Sequence, residues 1–318
     1  MTTYLDFEKP VAELEAKITE LEALAANGEG PSISTELKKL RMKSAKQLKD
    51  LYTSLSAWRK TQVARHPQRP HFSDYITHLF DDYQELAGDR LYGNDEAVTG
   101  GLARFNDRSV IILGHEKGRT TESRLRHNFG MAHPEGYRKA VRLMDMAEKF
   151  GLPVLSFVDT AGAYPGKAGE ERGQAEAIAR STERCLTLSV PMIATIIGEG
   201  GSGGAIALAA ANRVLMLEHS IYSVISPEGC ASILYRDSSK ANEAAEAMKI
   251  TSEHLLRLKV VDSLIKEPVG GAHRNPEKSI QDVGKAIWTD LKKLSKLSPE
   301  KIKQQRRDRF YAIGREGL

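Results

Sequence analysis

Cysteine is scarce: the 318 residues hold only Cys185 and Cys230, far apart in sequence. No CxxC pair occurs, which argues against a cysteine zinc site built from this chain. So few thiols suit a reducing, cytoplasmic setting. A charge excess is also missing, with 46 Lys and Arg against 42 Asp and Glu and a net charge of +4. That excess is too small to argue for nucleic acid, although mild basicity suits an anionic small substrate. Long hydrophobic runs are absent too. The apolar stretch after Gly204 is cut by Asn212 and Arg213, too soon to span a bilayer. Residues 1–10 contain Asp6 and Glu8 and no apolar h-region, so they do not read as a secretory signal. The expectation is a soluble protein with neither membrane nor nucleic-acid partner.

What is present is enough apolar residue, 41% of the chain, for one large core with or without an appendage. Val11, Leu14, Ile18 and Leu21 fall at helical spacing, and Asn27-Gly28-Glu29-Gly30-Pro31 interrupts them. Ser34 is placed to cap a second helix carrying Leu37, Leu40, Leu48, Leu51 and Leu55. Residues 1–64 therefore read as a helical hairpin, either packed on its own body or serving as a partner-binding arm. Arg65-His66-Pro67-Gln68-Arg69-Pro70-His71 reads as a surface linker opening a connector over 65–99, because two prolines forbid a regular helix.

From about Gly100 the texture becomes α/β. Strands are expected at 109–114, 153–158, 191–197, 213–217 and 221–224, and helices at 136–150 and 171–188. The helix over 136–150 should turn Ala140, Leu143, Met144 and Ala147 inward. Alternating strand, loop and helix implies parallel-type crossovers. We take 100–292 as the main domain and 293–318 as a helical tail.

The most informative segment is Gly198-Glu199-Gly200-Gly201-Ser202-Gly203-Gly204, which follows a strand and opens a helix. Free N–H groups at a helix start attract anions. Three templates fit it equally. Gly198, Gly200 and Gly203 match a dinucleotide fingerprint, with Glu218 as the ribose-binding acid of a nucleotide-dependent oxidoreductase. Gly200, Ser202 and Gly204 match a nucleophile elbow, with Asp262 and His273 following in triad order. Gly203 and Gly204 match a backbone oxyanion hole.

Longer blocks separate the three. Asp159-Thr160-Ala161-Gly162-Ala163-Tyr164-Pro165-Gly166, Ile197 to Ala205 and Tyr222 to Ala231 closely resemble the alpha subunits of acetyl-CoA carboxylase carboxyltransferases, as does Gly270-Gly271-Ala272-His273-Arg274-Asn275-Pro276. So do Glu85 to Arg90 and Asn128 to Met131, and the resemblance runs almost end to end. One departure is Ala161, where the family usually has Pro. The resemblance implies a crotonase-like spiral of ββα units, with an N-terminal helical extension. It implies transfer of a carboxyl group from carboxybiotin, carried on a biotin carrier protein, to acetyl-CoA. It also implies an α2β2 assembly with a beta subunit that holds the only zinc, and biotin carboxyl carrier protein and biotin carboxylase as further partners. No covalently bound cofactor is implied for this chain. By resemblance, the N–H groups of Gly203 and Gly204 stabilise the biotin oxyanion, and Gly162, Ala163, Tyr164, Gly200 and Gly201 line the substrate. Ser202 is expected to be structural. Lys117, Arg119, Arg124 and Arg126 read as a solvated basic face able to attract carboxylates or CoA phosphates.

Overall fold

A computed structural model describes residues 3–26 and 31–315. The interruption expected at 27–30, the first two residues and the last three of the expected tail lie outside that description.

Two helices, α1 (Lys9–Ala26) and α2 (Pro31–Thr53), lie against each other, and α3 (Ala57–Ala64) follows. Val11, Leu14 and Ile18 are the buried face of α1. Ser56 caps α3 by accepting from the Arg59 N–H.

Where the sequence suggested only a connector, α4 (Phe72–Leu79) and an edge strand β1 (Asp81–Glu85) form. The 65–71 segment is not a surface linker either. His66 and Arg69 are buried, and Arg69 ties the segment to the body through the Ile197 carbonyl and the carboxylate of Glu267.

The main unit is one sheet. β1, β2 (Val98–Phe105) and β3 (Arg108–His115) form an antiparallel run. The short α5 (Thr121–Arg126) and then α6 (Pro134–Phe150) lead to β4 (Val154–Thr160), which pairs parallel to β3. Pro134 opens α6 and Gly151, at φ +66°, closes it, the asymmetry expected of helix ends. Its inward face holds Ala140, Leu143, Met144 and Ala147, as the spacing predicts.

The helix expected over 171–188 forms as α8 (Gln174–Thr187), and a short α7 (Lys167–Glu171) that the sequence did not suggest precedes it, set apart by Gly173 at φ +82°. β5 (Met192–Gly201) comes next and is buried along its whole length. Strands covered on both faces read as continuous apolar runs, which is why β4 and β5 were visible in the sequence. After α9 (Ser202–Ala209) come β6 (Arg213–Leu217) and β7 (Ile221–Ser223). α10 (Pro227–Leu234), α11 (Ala241–Ala247), α12 (Ser252–Arg257) and β8 (Ser263–Ile265) complete the body, followed by α13 (Pro276–Leu294) and α14 (Pro299–Ala312).

The order across the sheet is β1-β2-β3-β4-β5-β6-β8, parallel from β3 onward. β5 is shared: its first half pairs with β6 and its last three residues with β7. Apolar clusters fill both faces, one under α6, α8 and α9, the other under α4 and α13. Each large side chain buried there contributes about 1.5–3 kcal/mol. Among the described residues, no helix is long and apolar enough to cross a membrane.

Candidate active site

β5 does not end where the glycines begin. It continues through Gly201, and α9 starts at Ser202 with φ +53°, a left-handed conformation unusual for a non-glycine residue. The turn from strand to helix is therefore made within one residue. The first N–H groups of a helix have no intrahelical acceptor, and here the capping residue is Gly201, with no side chain to supply one. The N–H groups of Gly203 and Gly204 lie in that first turn.

Close approach explains the glycines. A Cβ on Gly204 would lie 2.8 Å from the Gly162 carbonyl carbon and 2.9 Å from the Ala163 nitrogen. A Cβ on Gly201 would lie 2.2 Å from the Ala161 carbonyl oxygen. The end of β4 and the start of α9 thus touch backbone to backbone. Gly162 itself has φ +152°, and Thr160 clasps that turn: its Oγ1 accepts from the Gly162 N–H at 3.1 Å and donates to the Gly162 carbonyl at 2.7 Å. Gly162, Ala163, Gly201 and Gly204 are therefore brought together. Gly200 packs under the Tyr222 ring. Tyr164 turns elsewhere, stacking on His133 with ring centres 4.1 Å apart.

The strand is also locked by charge. The Asp159 Oδ1 accepts the Glu199 N–H at 2.9 Å and pairs with the Lys117 ammonium at 2.5 Å. Gly198 leaves room for that carboxylate, since a Cβ there would lie 2.4 Å from it. Glu199, nearly fully buried, receives two bonds from Arg65, which also grips Glu228 at the start of α10. Burial opposes the charged form of Arg65, but Glu199 and Glu228 outweigh it and raise its pKa. Sequence reasoning missed this Asp159–Glu199–Arg65–Glu228 chain. Glu199 inside a glycine run was the available signal, but nothing local pairs it with a residue so far away.

Two clefts flank the glycine turn. One, of about 670 Å³, is apolar, and Gly203, Ile206, Tyr222, Met248 and Leu255 help line it. The other, of about 510 Å³, is rich in charge, with Arg65, Lys117, Arg124, Phe129, Asp159 and Ala161 on its wall.

The two other templates do not assemble. Among the described residues, none is hydrogen-bonded to the Ser202 hydroxyl as a base. Asp262 is engaged by Arg309 and the Val214 N–H. His273 stacks on His66 with ring centres 3.7 Å apart. The turn holding His273 is not on the surface, since Gly270, Gly271 and Ala272 are all buried. Glu218 binds the Lys266 ammonium at 2.7 Å and lines a separate cleft beside Lys60 and His219. Among the described residues, no group of three or more His, Cys, Asp or Glu could hold a metal ion.

A twisted, mostly parallel sheet that delivers a glycine turn to a helix start is the architecture of the crotonase-like carboxyltransferases. It recurs in a transcarboxylase 12S structure at a TM-score of 0.54 and 21% identity, over 67% of this chain and 41% of that one. It recurs in the beta subunit of geranyl-CoA carboxylase from P. aeruginosa at a TM-score of 0.56 and 15% identity, over 77% of this chain and 46% of that one. The chain belongs to the acetyl co-enzyme A carboxylase carboxyltransferase-like family, whose model matches residues 4–314. It is 62% identical to the acetyl-coenzyme A carboxylase carboxyl transferase subunit alpha of Caulobacter vibrioides (strain NA1000 / CB15N), over 99% of this chain and 98% of that one. It is likewise 62% identical to the same subunit of Erythrobacter litoralis (strain HTCC2594), over 99% and 100%.

Proposed function

We propose that this chain is the alpha subunit of a carboxyltransferase that moves a carboxyl group from carboxybiotin to acetyl-CoA, giving malonyl-CoA. The observation that carries the reading is the uncapped glycine turn at Gly201–Gly204, packed backbone to backbone on Gly162 and Ala163. The full-length similarity to curated alpha subunits supplies the substrates.

The chemistry fits that turn. Carboxybiotin gives up its carboxyl group and leaves charge on the ureido oxygen. Acetyl-CoA gives up a methyl proton and leaves charge on the thioester oxygen. Both steps need preoriented N–H donors more than a side-chain nucleophile. The N–H groups of Gly203 and Gly204 serve the ureido oxygen, and the biotin enolate takes the methyl proton. The second oxyanion hole belongs to a beta subunit, which completes the site in an α2β2 assembly and carries any zinc. Biotin carboxyl carrier protein and biotin carboxylase supply the donor. The setting is cytoplasmic. Within the chain, 1–64 acts as a helical arm, 65–99 joins it to the carboxyltransferase unit of 100–292, and 293–318 is a helical tail.

The test is malonyl-CoA decarboxylation with free biotin as acceptor, run on this chain alone and mixed with a carboxyltransferase beta subunit. Activity only in the mixture is expected. No activity in a mixture that demonstrably assembles would sink the reading.

A further inference from the structure

The charged cleft of about 510 Å³ is not used by the oxyanion chemistry, yet it opens beside Ala161 and Glu199, directly next to the glycine turn. Its four strong cations are in different states. Arg65 spends its donors on Glu199 and Glu228. Arg69 spends its donors on the Ile197 carbonyl, Ser220 and Glu267. Lys117 gives one bond to Asp159, and an ammonium has three donors. The Arg124 guanidinium has no hydrogen bond or ion pair among the described residues. Two neighbouring arginines in the chain contrast with it, since Arg119, just before α5, pairs with Asp74 and Arg126, at its end, with Glu96.

The same cleft is lined by Phe129, a large apolar side chain left 47% exposed. Asn128 and Phe129 sit at φ +45° and +56°, two consecutive left-handed residues that are not glycine. Each such residue costs on the order of 1–3 kcal/mol, and strain of this kind concentrates at ligand sites. The turn is held by the bond from Asn128 Nδ2 to the Met131 carbonyl at 2.7 Å. A Cβ on Gly130 would meet Lys117 Cγ at 2.9 Å, so the turn is pressed against the cleft's lysine. The acids on the wall, Asp159 and Glu199, are already matched by Lys117 and Arg65. What the cleft presents to solvent is a free guanidinium, spare ammonium donors and a shielding ring.

The geometry points to an oxyanion subsite in this cleft: Arg124, assisted by Lys117, binds a carboxylate or phosphate group of one of the two substrates that meet beside the glycine turn, and Phe129 screens that contact from water. The inference rests on the proposed carboxyltransferase reading for its substrate. Two sources share the chemistry, the carboxyl group being transferred and a phosphate of the CoA thioester. A guanidinium binds either by charge-assisted hydrogen bonds.

The experiment uses the full chain with Arg124→Gln, a change that removes no internal bond. First, the chain alone is titrated with sodium malonate and with inorganic phosphate while its thermal midpoint is followed. Wild type should be stabilised by millimolar anion and the variant should not, and an equal response in both overturns the subsite. This reading needs no turnover, so it stands even if carboxyl transfer itself fails. Second, the chain assembled with a beta subunit is assayed on malonyl-CoA and on its 3′-dephospho analogue. A loss in kcat/KM of about tenfold or more is expected, the size of one charge-assisted contact. A loss confined to the phosphorylated substrate identifies phosphate as the anion. An equal loss with both leaves the carboxylate or the diphosphate, and the titration decides between them: stabilisation by malonate alone identifies the carboxylate, by phosphate alone the diphosphate. A change under about twofold with both substrates overturns the proposal.

Discussion

Arg65 and Glu199 form a two-pronged ion pair, Nε to Oε2 at 2.8 Å and Nη2 to Oε1 at 2.7 Å, on the strand that runs into the glycine turn. Glu199 is only 3% exposed, so removing its partner strands a buried charge. Arg65→Ala should cost about 3–5 kcal/mol of folding stability. Urea denaturation measures it, and a loss below about 1 kcal/mol would mean the pair is dispensable.

Gly203 and Gly204 should respond differently to alanine. At Gly204 the new methyl group meets backbone atoms of Gly162 and Ala163 at 2.8 and 2.9 Å, which cannot yield without moving the donors. At Gly203 it meets only the Ile178 side chain, at 3.3 Å. Gly204→Ala should lower malonyl-CoA decarboxylation about 10²–10³-fold, the cost of one misplaced oxyanion donor, with assembly intact. Gly203→Ala should cost about tenfold at most. Reversal of that order would contradict the packing described for the turn.

Ser202 is in a glycine-like conformation at φ +53°, and among the described residues no base is hydrogen-bonded to its hydroxyl. Ser202→Gly relieves strain of about 1–2 kcal/mol while loosening the unfolded chain, so stability should change little. Ser202→Ala should keep the rate within about threefold. Loss of activity in Ser202→Ala, with covalent labelling of the wild-type serine by a fluorophosphonate, would restore a nucleophilic reading.

Acid should destabilise the protein in two stages. Burial lowers His115 to about 4 and His273 to about 3, well under the ordinary 6.5. Below pH 6.5 the unfolded chain takes up protons that these two rings refuse, so stability falls as pH drops from 6.5 toward those values. Each ring contributes about 1.4 kcal/mol per pH unit through that window. For Glu267 burial favours the neutral form, but Arg69 prevails and holds the carboxyl at about 2, against an ordinary 4.5. Its contribution is complete above pH 4.5 and is lost below it, steepening the fall. Denaturation midpoints should be flat from pH 7 to 8 and decline below 6.5. A flat profile down to pH 5 would refute the buried neutral histidines.

The sequence displayed the elements whose burial is continuous or whose ends are marked. β4 and β5 are buried along their whole length and mostly apolar over their first halves, and α6 carries both a proline start and a glycine stop. β1 was invisible because its sequence is Asp-Asp-Tyr-Gln-Glu, largely exposed, and it is a strand only through its pairing with β2. The arginines of 65–71 suggested solvent because their acceptors, Glu199 and Glu267, lie more than a hundred residues away. The glycine turn was legible as a segment, but its three templates could be separated only by longer blocks of resemblance and by the placement of Asp262, His273 and Glu218. The shape of both clefts depends on contacts between distant elements, which no local pattern encodes.

Arg306 of α14 is wholly buried without a carboxylate: it donates to the carbonyls of Leu188 at 2.6 Å and Val190 at 2.9 Å, and to Asn212 Oδ1. Those acceptors frame the entrance to β5 and the exit of α9, the two elements that meet at the glycine turn. During synthesis they leave the ribosome 118, 116 and 94 residues ahead of the cation that satisfies them. The nascent sheet therefore waits, with the Leu188 and Val190 carbonyls lacking their guanidinium partner, for a late helix to arrive. A ribosome paused shortly before codon 306 would hold a domain whose glycine turn is already built but whose back is still open to chaperones and proteases.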